Sequence, residues 1–431
     1  MASKFALTRE ERGWILYDVA NSAFTLIVIT TFMPMFFKDY ASAGVDSATS
    51  TATWAFTVSA ASLILAILSP ILGALADYKG LKKKFWATAI VAGVAIGSGL
   101  VFIGRGQWQL ATVIYVCASV AYTAANTFYD SFLPDVTSPD RMDRISSLGF
   151  GWGYIGSVVP FLAAMAVVLG IGLGANGELP PTGVKIAFGL AILWWALFSL
   201  PMARSVKQKY GIDGTGLKPG EAIKGAFSRL WATLKDARSN KPVFVFLLAY
   251  FFYIDGVHTI ISTATAYGRD LGLSAVFLVV LVLFIQVVAW PFALLFGKSA
   301  ARFGRKPLLF IAIGVYAVVC FVAFLIPSLP TLEMKKTLFW VMAFLIASSQ
   351  GGIQALSRSY FAALIPPEKS AEYFGFYDVF GKFAAILGPF LLGIMTTTTG
   401  QSRWGILSLS ILFVIGGFFL AITPKAVGDA R

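Results

Sequence analysis

Residues 73–84 read Gly73-Ala74-Leu75-Ala76-Asp77-Tyr78-Lys79-Gly80-Leu81-Lys82-Lys83-Lys84, a short basic run between two long apolar stretches. A degraded copy, Gly297-Lys298-Ser299-Ala300-Ala301-Arg302-Phe303-Gly304-Arg305-Lys306, recurs 224 residues later, again between apolar stretches. The copy keeps both glycines and the trailing cations, and has Ala301 in the place of Asp77. Each run reads as a tight basic loop joining paired membrane helices. Two such loops imply two related halves, an organisation common among transporters.

Composition agrees, with 58% hydrophobic and 13% charged residues in a chain of 431. A hydrocarbon core of about 30 Å needs roughly 20 consecutive apolar residues per helix. The sequence predicts spans at 14–37, 54–76, 85–104, 109–133, 145–172 and 184–203, then at 242–266, 274–296, 307–327, 337–361, 373–396 and 404–422. The expected fold class is an all-α polytopic membrane protein, twelve transmembrane helices in two pseudo-symmetric six-helix bundles. The bundles are 1–203 and 242–431, joined by a cytoplasmic linker over 204–241. The first span begins with Trp14 and Tyr17 and lacks a small-residue cleavage site, so no removable signal is expected.

Lys and Arg are retained on the cytoplasmic side, which orients the chain. With the amino terminus inside, inner segments hold twenty-five of the 34 Lys and Arg, outer segments together with Lys185 at the outer edge of span six hold seven, and the remaining two, Arg358 and Lys382, fall deeper inside spans. Both termini are therefore expected in the cytoplasm. The net charge of +13 is then a bias toward an anionic inner leaflet, with membrane lipids as partners and no nucleic acid. In the linker, Ile223, Ala226, Phe227, Leu230, Trp231 and Leu234 recur at helical spacing opposite Lys224, Arg229, Lys235 and Arg238, which predicts an amphipathic helix on the inner surface. Cys117 and Cys320 both lie in apolar spans, so neither a disulfide framework nor a metal site is expected.

Twelve spans, inner termini, a central linker and the glycine-aspartate-glycine-basic loop after span two together resemble the major facilitator superfamily of secondary transporters. More narrowly, Trp14-Ile15-Leu16-Tyr17-Asp18-Val19-Ala20-Asn21-Ser22-Ala23-Phe24 resembles the opening motif of the vacuole-effluxer-like family, whose fungal members are autophagy-related amino-acid exporters. Phe128-Tyr129-Asp130-Ser131-Phe132-Leu133-Pro134-Asp135, the stretch Ser146–Ser157 and Gly351-Gly352-Ile353-Gln354-Ala355-Leu356-Ser357-Arg358-Ser359 resemble that family too. The resemblance covers nearly the whole chain. It implies alternating access, amino-acid export, a monomer and, by analogy, residence in a bacterial inner membrane. It also implies that Asp77, with Gly73 and Gly80, helps latch the halves in one access state. The Gly-Pro pair of superfamily antiporters in span five is only partly met by Gly156-Ser157-Val158-Val159-Pro160, whereas Gly388-Pro389 stands in span eleven.

A charge near the bilayer centre costs roughly 2.5–3.5 kcal/mol on insertion scales, so each one invites a functional explanation. Asp255 lies thirteen residues past Pro242, roughly 20 Å into the core at about 1.5 Å per residue. His258, the single histidine, follows three residues later on the same helical face. The two read either as a proton carrier or as a pair satisfying each other inside a helix interface. Arg358 reads as a bidentate clamp for a substrate carboxylate, as a gate residue meeting Asp130 or Asp18, or as a cation snorkelling to the interface. Aligning Leu133-Pro134 with Ile365-Pro366 gives Asn126 the same depth in the first half. Gln350 and Gln354 continue the Arg358 stripe at one-turn intervals and suit either a polar solute or helix pairing. Tyr17, Asp18 and Asn21 sit near the inner end of span one, a depth that favours gating or capping of a neighbouring helix end; Asn21 is also kept with Asn126 as a candidate substrate contact. Asp378 and Lys382 are spaced for an ion pair within one helix.

No cofactor is expected, and the chain does not read as an enzyme. Gly297-Lys298-Ser299 ends like a phosphate-binding loop, but Phe292 stands where the loop's first glycine belongs. One histidine without zinc ligands around it makes an intramembrane hydrolase a poor fit. The expected function is secondary active transport of a small polar organic solute, amino acids first, coupled to protons. The alternatives are lipid or lipid-linked sugar transport on the same fold, and a non-transporting membrane sensor.

Overall fold

The structure is a computed structural model that describes residues 6–45, 47–173, 179–214, 221, 224–225, 228, 231–232 and 241–424. Most of the linker expected to form an amphipathic helix therefore lies outside the described residues. Among the described residues, twelve helical spans are long and apolar enough to cross a membrane. They are α1 (Arg9–Ala41), α2 (Phe56–Ala76), α3 (Lys82–Phe102), α4 (Trp108–Ser131), α5 (Met142–Ile171), α6 (Pro181–Ser205), α7 (Lys241–Ala264), α8 (Val280–Phe303), α9 (Arg305–Ser328), α10 (Leu332–Leu364), α11 (Pro367–Thr396) and α12 (Ser402–Ile422). Every span expected from hydropathy has its helix. The protein is an integral membrane protein of all-helical class.

Local chemistry accounts for the ends and interruptions of these helices. Thr8 and Glu11 form a capping box at the start of α1: the Glu11 N–H donates to Thr8 Oγ1 at 3.1 Å, and the Thr8 N–H donates to Glu11 Oε2 at 2.9 Å. Further along, α1 widens into π-helical turns over Thr25–Phe32 and again over Phe37–Ala41, on either side of Pro34. A proline has no N–H to give, and wide turns beside it let the backbone re-pair in a setting without water. The Thr31 hydroxyl assists by donating to the Leu26 carbonyl at 2.6 Å.

The chain forms two compact units, Met1–Thr137 with Trp152–Phe227 and Pro367–Gly375, and Ser138–Gly151 with Ser228–Pro366 and Phe376–Arg431. Helices α5 and α11 thus each contribute to both. In the first unit, α1 packs on α6, while α2 and α3 pack on α4; in the second, α7 packs on α12, while α8 and α9 pack on α10. The same three pairings recur at the same places in the helix order, as the repeated loops require.

Helices can associate in lipid only where small residues let backbones approach. Between α7 and α12, a Cβ on Gly256 would lie 2.6 Å from the Phe413 ring, and one on Gly416 would lie 2.8 Å from the Tyr253 nitrogen. Aromatic side chains fill the first unit, where Trp14 stacks on Tyr129 at 4.5 Å and Tyr122 meets Trp195 edge-on at 5.3 Å. Others, such as Phe56 and Phe102, are exposed as a lipid-facing surface requires. Cys320 is buried and Cys117 is exposed, both as free thiols. Gly416→Val is expected to force α12 away from α7 and destabilise the protein by about 1–3 kcal/mol. A thermal transition unchanged from the wild type in detergent would contradict that packing.

Candidate functional site

The 73–84 run owes its residue types to one contact. Asp77 is fully buried, and its two carboxylate oxygens accept the Ala371 and Glu372 N–H groups, each at 2.8 Å. Those amides belong to the first turn of the α-helical part of α11, which begins at Ser370. Unpaired N–H groups and the positive end of the helix dipole make that turn an anion seat, and a two-oxygen acceptor fills it. Gly73 allows the approach, since a Cβ there would lie 2.3 Å from the Ala371 carbonyl oxygen. Gly80 turns the loop with φ +79°, a backbone conformation that side chains disfavour. Of the three lysines that follow, Lys82 is the buried one, and its Nζ reaches Asp135 Oδ2 at 2.9 Å, Ser370 Oγ at 2.7 Å and the Ser131 carbonyl at 3.3 Å. Burial raises the Asp77 carboxyl from 3.8 to about 7 against the opposing pull of Lys82 and the two amides.

The second copy of the loop makes a related contact with its charges rearranged. Gly297 again permits close approach, a Cβ there lying 2.4 Å from the Ser147 Cβ. Ala301 leaves the loop without a carboxylate, and the acid is instead Asp143 in the first turn of α5, accepting from Arg305 Nε at 2.6 Å. One helical step along, Arg358 of α10 grips the same segment. Its Nε donates to Ser146 Oγ at 2.9 Å, its Nη2 donates to the Ser146 carbonyl at 3.0 Å, and its guanidinium lies 4.2 Å above the Phe150 ring. Ser146 Oγ in turn donates to the Ala355 carbonyl at 2.8 Å. Arg358 is 2% exposed, and these contacts hold its guanidinium against α5.

The opening motif of α1 faces α4. Tyr17 Oη donates to Asn126 Oδ1 at 3.1 Å, Tyr129 Oη donates to Asp18 Oδ2 at 2.7 Å, and Trp14 Nε1 donates to the Tyr129 carbonyl at 2.9 Å. The Asn21 carbonyl accepts from Tyr122 Oη at 3.0 Å, just where α1 begins to widen. Asn126 and Asp130 are half-buried, as are Gln350 and Gln354 on α10.

Asp255 on α7 is also fully buried. It accepts from the Gly388 N–H at 2.8 Å and from Thr259 Oγ1 at 3.3 Å. Gly388 precedes the intrahelical Pro389 of α11, and a Cβ on Gly388 would lie 2.7 Å from Asp255 Oδ1. A side-chain acceptor thus enters α11 where proline interrupts its backbone bonding. His258, half-buried, stands one turn away, and the hydrogen bonds to Asp255 come from α11 and Thr259. Asp378 is half-buried, while the Lys382 side chain expected to pair with it lies outside the described residues. Sequence reading quotes Lys82, Asp135 and Ser146 only within longer motifs, without a role for any of them, and does not single out Asp143 or Tyr122. Lys82 is one of three consecutive lysines, and nothing local tells which will be buried. The two aspartates stand near span ends, where acids are usually solvated.

Repeated six-helix order, a charge-capped loop in each repeat and buried polar groups within the spans fit a membrane transporter of the major facilitator type. The family model described as "Vacuole effluxer Atg22 like" matches residues 7–428, and the chain belongs to that family. The MFS-type transporter YxiO of Bacillus subtilis is 45% identical over 97% of this chain and 95% of its own length. Autophagy-related protein 22 of Kluyveromyces lactis is 24% identical over 94% of this chain and 92% of its own. Among solved structures, the transporter FucP in its outward conformation matches 97% of this chain and 98% of its own with a TM-score of 0.69 at 14% identity. The proton:xylose symporter XylE matches 98% and 96% with a TM-score of 0.67, also at 14%. These structural likenesses establish the fold.

Burial raises the Asp77 carboxyl from 3.8 to about 7, so protonation relieves its desolvation and favours the folded state. That contribution is complete below pH 3.8, shrinks as the pH rises and is gone above about 7. The thermal transition of the wild type should therefore gain stability between pH 7 and 4 from this group, and Asp77→Asn, which does not titrate, should lack that component. At the other loop, Arg358→Lys keeps the charge but not the planar pair of donors. It should lose about 1.5–3 kcal/mol, close to the loss in Arg358→Ala, and a lysine variant as stable as the wild type would refute the clamp.

Proposed function

We propose that this transporter moves a small polar organic solute, amino acids first, out of the cytoplasm by alternating access coupled to protons. The observation that carries the reading is the fully buried Asp255 on α7, a titratable carboxylate in a membrane span hydrogen-bonded to the interrupted helix α11. A group in that position changes charge when it takes a proton, and the strength of its hold on the α11 backbone changes with it. His258 extends the same helical face toward the solute path. Asn21, Asn126, Gln350 and Gln354 supply uncharged hydrogen-bonding groups suited to a zwitterion. The family's description as vacuole effluxers supports export, and the resemblance of the opening motif supports amino acids.

In this reading the bundles 1–203 and 242–431 are the moving parts, with 204–241 between them. Asp77, Gly73 and Gly80 form the inner latch; Tyr17, Asp18, Asp130, Asp378 and Lys382 act in gating. Arg358 holds α5 in the latched state and releases it for solute when the latch opens. The cation distribution supports cytoplasmic termini and a bacterial inner membrane, and the protein works as a monomer.

Counterflow tests the proposal. Proteoliposomes preloaded with unlabelled neutral amino acids should accumulate the same compounds labelled from outside. Asp255→Asn, which keeps an acceptor for Gly388, should retain exchange and lose accumulation driven by a pH gradient. Absence of uptake of every amino acid by folded protein would replace the solute class with lipids or sugars, and unchanged pH-driven accumulation in Asp255→Asn would remove the carboxylate from coupling.

A further inference from the structure

The chain leaving α6 does not run free into the linker. From Val206 it turns extended and crosses the 77–82 loop, to which Gln208 and Ile212 are hydrogen-bonded. The Ile212 N–H donates to the Asp77 carbonyl at 2.8 Å, and the Lys79 N–H donates to the Ile212 carbonyl at 3.0 Å, forming a parallel bridge between Tyr78 and Ile212. Gln208 serves both polarities. Its Oε1 accepts from the Gly80 N–H at 2.9 Å and the Lys82 N–H at 3.2 Å, while its Nε2 donates to the Tyr78 carbonyl at 3.3 Å. The Lys209 and Tyr210 N–H groups donate to Asp135 Oδ1 at 2.7 and 2.8 Å, and Asp135 Oδ2 holds Lys82. Two glycines keep the strap close: a Cβ on Gly211 would lie 2.8 Å from the Asp77 carbonyl oxygen, and one on Gly214 would lie 2.7 Å from the Tyr78 ring.

Asp77 is therefore held from both sides, its carbonyl by the strap and its carboxylate by α11. Each bond to α11 tolerates little displacement, because hydrogen bonds weaken steeply beyond about 3.2 Å. The loop has no regular secondary structure to hold its shape, and it turns on the positive φ of Gly80. We propose that residues 206–214 are a positioning strap for the latch, with Gln208 as its central residue. The strap keeps the loop in the shape that presents Asp77 to α11, and so ties the segment joining the two repeats to the step that opens and closes the transporter. The inference rests on the latch reading of Asp77.

Amide hydrogen exchange read by mass spectrometry on the full chain in lipid nanodiscs tests it without a known solute. Asp77→Ala should speed exchange at Ala371 and Glu372 at least tenfold. Gln208→Ala should speed the same two amides by a comparable factor, while α12 exchanges at the wild-type rate. Gln208→Glu, which keeps the acceptor and loses the donor, should be intermediate and serves if Gln208→Ala does not fold. If a Gln208 variant loosens 79–82 and 209–212 but leaves 371–372 unchanged, the strap is structural only and the inference is overturned. Uniform acceleration that includes α12 would mean general destabilisation and would overturn it equally. If Asp77→Ala itself leaves 371–372 unchanged, the latch reading fails and the strap's role falls with it.

Discussion

A buried charge in a protein surrounded by hydrocarbon must find its partners within the protein, and the helix ends beside the two repeated loops are organised around that constraint. Asp77 has no water to solvate it; two amides of α11 take that role, with Lys82 as counter-charge. Because the amides are those of a helix start, the carboxylate also supplies what the helix lacks. Each side offsets part of the other's desolvation cost, and the pair becomes a specific joint between elements far apart in the chain. Asp135 repeats the logic on a smaller scale, dividing its oxygens between Lys82 and two backbone amides.

The two loops solve one problem with different placements of charge. Asp143 and Ala371 each stand four residues beyond a proline, Pro139 and Pro367, that precedes a helix start. In the first unit the acid is on the loop and the helix offers bare amides at Ala371. In the second the acid has moved to the helix at Asp143, and the loop brings Arg305 to it. The loss of the aspartate from the second copy is thus a relocation of the charge, not its disappearance. An amide pair and a guanidinium respond differently to pH. The first contact carries a carboxyl raised to about 7 by burial.

Much of this was legible in the residues. Hydropathy located every span, because a membrane helix needs its apolar length whatever its neighbours are. The repeated glycines located both loops, since close approach and positive φ admit few other residues. Asp255, Asn126 and Arg358 were singled out by depth alone, and each proves to be engaged in a specific polar contact. Their partners were hidden: Gly388, Tyr17 and Ser146 are distant in sequence and ordinary in type, and they are brought close by helix packing. Arg358 illustrates the limit, for a buried guanidinium answers equally well to a carboxylate solute and to a serine on α5.

The number of crossings, the two-fold repetition and the family could be read from the residues alone. All of these follow from composition, spacing and local motif. Tertiary structure decided which of three adjacent lysines is buried, which amides receive Asp77, and that the chain leaving α6 binds back across the loop. Those outcomes depend on which helix ends meet in space. A hydrogen bond formed within about 3 Å between residues as far apart as Asp77 and Ala371 leaves no periodicity in the chain from which it could be read.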